Sequence, residues 1–214
     1  MARHGPAIFE GQPAVDAVLK QAWYTDNIDS IPDGARHLLE QYSKSEPEEV
    51  VPHVVKMRNK AFEIWSYACI GQMRFSTYNL SLLPFYSRVL ERVRSGAILL
   101  DAGCCFGQEI RYLVQDGVPS TQLYGFDLEP EFIHLGYQLF RDRDRVQATF
   151  VSGDILAEPT APEGQEIAGL QGQMNIIFAS SFLYSDNKPI DYFVRISEQH
   201  SAAKAKLESL YTLT

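Results

Sequence analysis

Leu99-Leu100-Asp101-Ala102-Gly103-Cys104-Cys105-Phe106-Gly107 is the stretch that decides the fold. The apolar run that leads into it, Ala97 to Asp101, has the length and content of a buried parallel strand. It ends in an acid and breaks into a turn with two glycines, which let a backbone bend sharply and approach a ligand with no Cβ in the way. A helix is expected next, from about Gln108 to Gln115.

Toward the C-terminus the alternation repeats. Leu123 to Asp127 reads as a second strand, Pro130 to Phe140 as a second helix, Ala148 to Val151 as a third strand and Asn175 to Ala179 as a fourth. Pro159 to Gly172 reads as loop with at most one helical turn. Strands that alternate with helices of these lengths predict an α/β fold with a doubly wound parallel sheet of Rossmann-like type. Toward the N-terminus the pattern is helical. Short helices are expected over Asp33 to Gln41 and from about Leu82 to Val93. Between them Glu46-Pro47-Glu48-Glu49 looks like a helix start. Val50, Val54, Val55, Met57, Phe62, Ile64 and Trp65 then recur at roughly helical spacing, with Pro52 expected within the tolerated first turn. Residues 1–95 are therefore expected to form an N-terminal helical cap and 96–214 the sheet domain, as one compact unit.

The chain has 214 residues, 45% hydrophobic, with a net charge of -8. That supports a real core and argues against a phosphate-backbone partner, because no basic cluster is present. No nucleic-acid partner is expected. Three cysteines, Cys69, Cys104 and Cys105, are too few and odd in number for a disulfide framework. The first nine residues lack the apolar segment of a signal peptide, and no apolar run approaches a bilayer span. A cytoplasmic protein without a membrane span is the expectation.

In such sheets a ligand sits beyond the C-terminal strand ends. Asp101 ends the first strand, Asp127 the second, and Asp154 follows the third. A carboxylate in the position of Asp127 can accept both ribose hydroxyls, and one in the position of Asp154 an adenine amino group. A dinucleotide site would want G-x-G-x-x-G. Here the spacing is Gly103-x-x-x-Gly107, and Glu109 in the first helical turn disfavours a pyrophosphate. S-adenosylmethionine (SAM) has no phosphate and carries a sulfonium and an ammonium, which an acid-rimmed loop suits. The expected cofactor is therefore SAM. Its binding residues are expected to be Asp101, Gly103, Cys104, Gly107, Asp127, Leu128, Asp154, Ile155, Ala179 and Ser180. Adjacent cysteines make a poor zinc chelate, so Cys104 and Cys105 are expected to serve loop packing, and no metal is expected. His53, His134 and His200 are expected to be surface histidines.

Leu99 to Gly107, with Asp127 and Asp154, resembles the class I SAM-dependent methyltransferases. Ile31-Pro32-Asp33-Gly34-Ala35-Arg36, Cys69-Ile70-Gly71-Gln72, Gly103-Cys104-Cys105-Phe106-Gly107-Gln108 and Leu123-Tyr124-Gly125 resemble, more specifically, fungal methyltransferases of meroterpenoid (polyketide–terpenoid) biosynthesis. The resemblance covers about Tyr24 to Ser181. It implies methyl-ester formation on an aromatic polyketide acid, or methylation of a hydroxyl, and a homodimer. A carboxylate is already ionised at neutral pH, so its methylation needs orientation more than a base. Tyr24, Trp65, Tyr67 and Phe75 are the candidates for an apolar substrate pocket, and Gln72 and Arg74 for polar orientation of the substrate.

The sequence departs from that family in two ways. After Phe178-Ala179-Ser180-Ser181-Phe182 no further strand is legible, so the sheet is expected to stop at four strands with the fourth at an edge. Asn175 also stands where an acid is common in the family. Two other function classes therefore stay open. One is a cyclisation or isomerisation of a terpenoid-type substrate, with Glu63, His134 or Asp186 as proton donor. The other is a non-catalytic subunit.

Overall fold

A computed structural model describes residues 23–155 and 157–180. Asp186 and His200 lie outside them. Among the described residues the α-helices α1 (Asp33–Gln41), α2 (Pro47–Ile64), α3 (Ala68–Gly71) and α4 (Tyr86–Arg94) precede the first strand. The alternating part then runs β1 (Leu99–Ala102), α5 (Gln108–Gln115), β2 (Leu123–Asp127), α6 (Pro130–Phe140), β3 (Thr149–Ser152), α7 (Pro162–Ala168) and β4 (Ile176–Phe178). The four strands are parallel and stand in the order β3-β2-β1-β4. The α/β Rossmann-like expectation holds, and β4 is an edge strand among the described residues.

β1 lies at the centre and is buried along its whole length. Its side chains alternate between two cores, as a strand covered on both faces requires. Leu99 packs with Leu123, Ile110, Leu113, Val89 and Val93 on one face. Leu100 packs with Phe126, Ile167 and Leu170 on the other. A third core joins the N-terminal helices to α6. Val50, Val54, Met57, Ala61 and Phe62 form one stripe of α2, and it meets Phe132, Leu135, Leu139 and Phe140. Buried Phe106, from the loop after β1, belongs to this third core.

Three sequence expectations are corrected. The helix expected from Leu82 starts at Tyr86, because Pro84 forces Leu83 into extended geometry, and Leu80–Leu82 closes as a separate 3-10 turn. The segment expected as loop contains α7, with Pro162 at its first position. Pro52 lies in the second turn of α2, and the helix runs through it on an exposed face. Among the described residues no helix is long and apolar enough to cross a membrane.

Candidate functional site

The strand order reverses between β1 and β4, which puts the ligand crevice of such a sheet at the C-terminal ends of these strands. The loop from Gly103 to Gly107 leaves β1 there. Gly103 (φ 72), Cys105 (φ 51) and Gly107 (φ 64) all adopt left-handed conformations. The amides of Gly103 and Cys104 both donate to the Phe126 carbonyl at 2.9 Å, and the Gly107 amide to the Cys104 carbonyl at 2.7 Å. A Cβ at Gly107 would run into Arg111 Nη1, so only glycine fits as the residue before α5. Cys104 is fully buried beneath the loop, where a Cβ on Gly125 would come within 3.0 Å of its sulfur. Cys69, Cys104 and Cys105 are free thiols, and burial pushes all three above the usual thiol range.

Two acids converge on this loop. Asp101 is 2% exposed, and its Oδ2 has no hydrogen-bond partner among the described residues. Burial, with Glu109 and Asp127 nearby, holds its carboxyl well above the usual range. Asp127 accepts from the Cys105 amide through Oδ2 at 2.7 Å and from the Glu129 amide through Oδ1 at 3.1 Å. Each of its oxygens thereby keeps a lone pair for a further donor. Burial raises Asp127 to about 6, against the pull of those amides. Such a cluster of desolvated acids suits a cation, because none pairs with it among the described residues.

The remaining expected cofactor residues follow the C-terminal ends of β2, β3 and β4. Leu128 is 53% exposed on the rim. Asp154 and Ile155 follow β3, where Ile155 packs against the Leu100 core and the Asp154 carbonyl accepts from Ala157. Ala179 packs against the same core, and Ser180 Oγ accepts from Asn79 Nδ2 at 2.8 Å.

Of the substrate-side candidates, Trp65 and Tyr67 reach the acids. Their rings stack 5.9 Å apart, and Trp65 Nε1 donates to Glu129 Oε2 at 3.0 Å. Burial first, and Asp127 second, push the Tyr67 hydroxyl up to about 12. Phe75 is instead a core residue, 6% exposed and edge-on to Phe106 at 4.7 Å. Tyr24 is fastened to α2, donating to Asn59 Oδ1 at 2.7 Å with the Arg58 guanidinium over its ring. Gln72 caps α3 and is half-buried. Arg74 is exposed and makes no ion pair among the described residues.

The proton donors of the alternative reading are less well placed. Glu63 is exposed, and His134 is an exposed partner of Glu131 at 3.3 Å. His53 is half-buried rather than on the surface, with Nε2 3.1 Å from the Leu139 carbonyl. Asn175 sits at the opposite end of the sheet, where its Oδ1 accepts from the Ile98 amide at 2.8 Å. That end also holds an open cavity of about 600 Å³, lined by Arg88, Glu91, Arg92 and Asn175 among others. It is far from the strand ends that carry the acids, and we give it no part in the site.

Residues 23–76 match the family model for the meroterpenoid methyltransferase N-terminal domain. The chain is 44% identical over 161 residues to methyltransferase adrK of Penicillium roqueforti, covering 75% of this chain and 56% of that protein. It is 44% identical over 159 residues to the asnovolin E/chermesin D methyltransferase nvfJ of Aspergillus novofumigatus, 73% of this chain and 55% of that one. Against the O-methyltransferase atr3 of Stereocaulon alpinum it is 41% identical over 163 residues, 76% and 46% of the two chains. Over about three quarters of its length the chain is thus similar to methyltransferases tied to meroterpenoid biosynthesis. It spans about half the length of the curated relatives it matches. No solved structure matches it.

Every substrate-side candidate falls within the matched residues 23–76. Three site features escaped the sequence. Glu109, noted only as an obstacle to pyrophosphate, is 3% exposed beneath Leu80, whose amide lies 3.4 Å from its Oε1. Burial pushes its carboxyl up to about 7. Glu129 anchors Trp65. Arg111 and Asp142 form a buried ion pair under the loop. The only sequence signal for the pair is a charged residue between Ile110 and Leu113 on the apolar face of α5, with no hint of its partner.

Proposed function

We propose that this chain binds SAM in the loop of Gly103 to Gly107 and serves methyl transfer to a carboxylate or hydroxyl of a meroterpenoid or polyketide small molecule. The observation that carries the reading is the orphaned, buried Asp101 Oδ2 next to the Asp127 carboxylate. A buried acid with an unpartnered oxygen, beside a second acid held by backbone amides, favours a ligand that brings positive charge and hydroxyl donors. Asp101 would face the cationic part of the donor. Asp127 would take the ribose hydroxyls on the lone pairs that the Cys105 and Glu129 amides leave open. Asp154 and Ile155, one strand further, would hold the base. When bound, the group supplies a methyl carried on a positively charged sulfur. The names of the relatives support the methyltransferase activity and the small-molecule class.

The chain's own residues do the rest by placement. Trp65 and Tyr67 would pack the apolar body of the substrate and exclude water from above the loop. Arg74, with no competing acid among the described residues, would pair with a substrate carboxylate, and Gln72 would add a polar contact. An ionised carboxylate needs no base, so holding its oxygen in line supplies much of the rate.

The test is calorimetry of the 214-residue chain with S-adenosylhomocysteine, followed by transfer of labelled methyl from SAM to an aromatic polyketide acid. Binding in the micromolar range is expected. Absence of binding at millimolar ligand would end the reading. In the transfer assay, Arg74→Ala should raise KM for the acid about tenfold and leave the affinity for S-adenosylhomocysteine unchanged.

A further inference from the structure

One buried arginine grips the backbone of the glycine loop from below. Arg111 on α5 has no solvent exposure. Its Nε donates to Asp142 Oδ2 at 2.8 Å and its Nη2 to Asp142 Oδ1 at 3.1 Å. Nη1 donates to the carbonyls of two consecutive loop residues, Phe106 at 3.0 Å and Gly107 at 3.3 Å. Asp142, just past the end of α6, also accepts from the Tyr42 hydroxyl at 2.7 Å, at the end of α1. The guanidinium lies 4.7 Å from the Phe150 ring centroid and 5.2 Å from that of Phe140.

A buried ion pair is a poor way to gain stability, since an apolar replacement of similar volume often serves as well. What an apolar side chain could not do is hold two carbonyls of a left-handed turn in place. A lysine could not do it either: its ammonium is a point charge, unable to pair with a carboxylate bidentately and still span both carbonyls. Arg111 Nη1 fills the space that a side chain at Gly107 would take, so arginine and glycine fit as a pair.

We propose that Arg111 is the positioning residue of the glycine loop and that Asp142 and Tyr42 hold it in register. The inference rests on the reading of this loop as the donor-binding loop. It adds a mechanical link from α1, through Tyr42, Asp142 and Arg111, to the Cys104–Gly107 backbone. Arg111 touches no substrate in this scheme and acts through the loop carbonyls it holds.

Amide hydrogen exchange and calorimetry on Arg111→Lys test it, with Tyr42→Phe as a milder second variant. In Arg111→Lys the amides of Cys105 and Gly107 should exchange about tenfold faster, while those of Leu100 and Phe126 in the strands keep their rates. The Kd for S-adenosylhomocysteine should rise about tenfold. Tyr42→Phe should show the same pattern at about threefold, and it stands in if Arg111→Lys does not fold. Equal acceleration across loop and strands would reduce Arg111 to a core ion pair and overturn the proposal. So would an unchanged loop. If the unmodified chain binds no S-adenosylhomocysteine, the donor reading falls, and the exchange pattern still decides whether Arg111 positions the loop.

Discussion

The Cys105 amide donates to Asp127 Oδ2 at 2.7 Å, so the loop after β1 and the acid that ends β2 form one hydrogen-bonded unit. The Glu129 amide completes it on Oδ1 at 3.1 Å. Asp127→Asn must set its own NH2 against one of these amides, donor to donor. The variant should lose about 1–3 kcal/mol of stability in urea unfolding. Its affinity for S-adenosylhomocysteine should drop at least about tenfold. Wild-type affinity in the variant would show that Asp127 has only a structural task.

Asp127 also sets a pH dependence. Burial lifts it to about 6, and ribose hydroxyls need the ionised form as acceptor. Affinity should be level at pH 7 to 8 and fall as pH drops through 6, approaching about tenfold per unit. Titration at half-unit steps checks this, and a level curve down to pH 5 would contradict it. The stability contribution has the opposite sign. A folded value above the usual 3.8 means that the protonated form is favoured in the native state. That contribution is present below about pH 4 and is lost as pH rises through about 6.

Glu109 offers a cleaner stability test. Burial raises it from 4.5 to about 7, so its contribution is present below about 4.5 and is lost as pH rises through 7. Glu109→Gln removes that slope. The variant should be more stable than the unmodified chain at pH 8 by up to roughly 3 kcal/mol, and no more stable at pH 4.5. Thermal melts across this range read the difference directly.

Two glycines should respond in opposite ways to alanine. A Cβ at Gly136 on α6 would collide with the Phe106 carbonyl, so Gly136→Ala should cost about 1–3 kcal/mol and disturb the loop. Gly34 in α1 has room, with the nearest atom of Tyr78 at 3.9 Å. Gly34→Ala should stabilise the chain by roughly 0.5–1 kcal/mol, through the helix preference of alanine alone. Melting curves of the pair would separate packing from propensity.

The sequence made the local elements legible and left the side-chain circuitry hidden. α5, β2 and α6 occupy the predicted residues, because a glycine turn, a short apolar run and Pro130 mark their bounds. Asp101, Asp127 and the two loop glycines were legible for the same reason: they lie at strand ends fixed by local pattern. α4 starts later than the apolar spacing predicts because Pro84 holds Leu83 extended, a constraint that outweighs periodicity. Phe75 was given to a pocket because an aromatic near polar residues looks the same whether it faces solvent or Phe106. The Arg111–Asp142 pair joins residues 31 apart, and Tyr42 reaches Asp142 across 100. Such pairings follow from the packed layers, not from any window of sequence.

Phe106, the residue between the second cysteine and the second glycine, is fully buried in the core built by α1, α2 and α6. It meets Phe75 at 4.7 Å and Phe132 at 6.2 Å. The loop after β1, the proposed donor site, thus has one of its own residues planted in the helices that would select the substrate. Anyone recombining N-terminal segments among these fungal relatives would have to carry the socket for Phe106 along with them. A graft that changed substrate preference and lost that socket would also forfeit its methyl donor, so the two traits should travel together through any shuffled library.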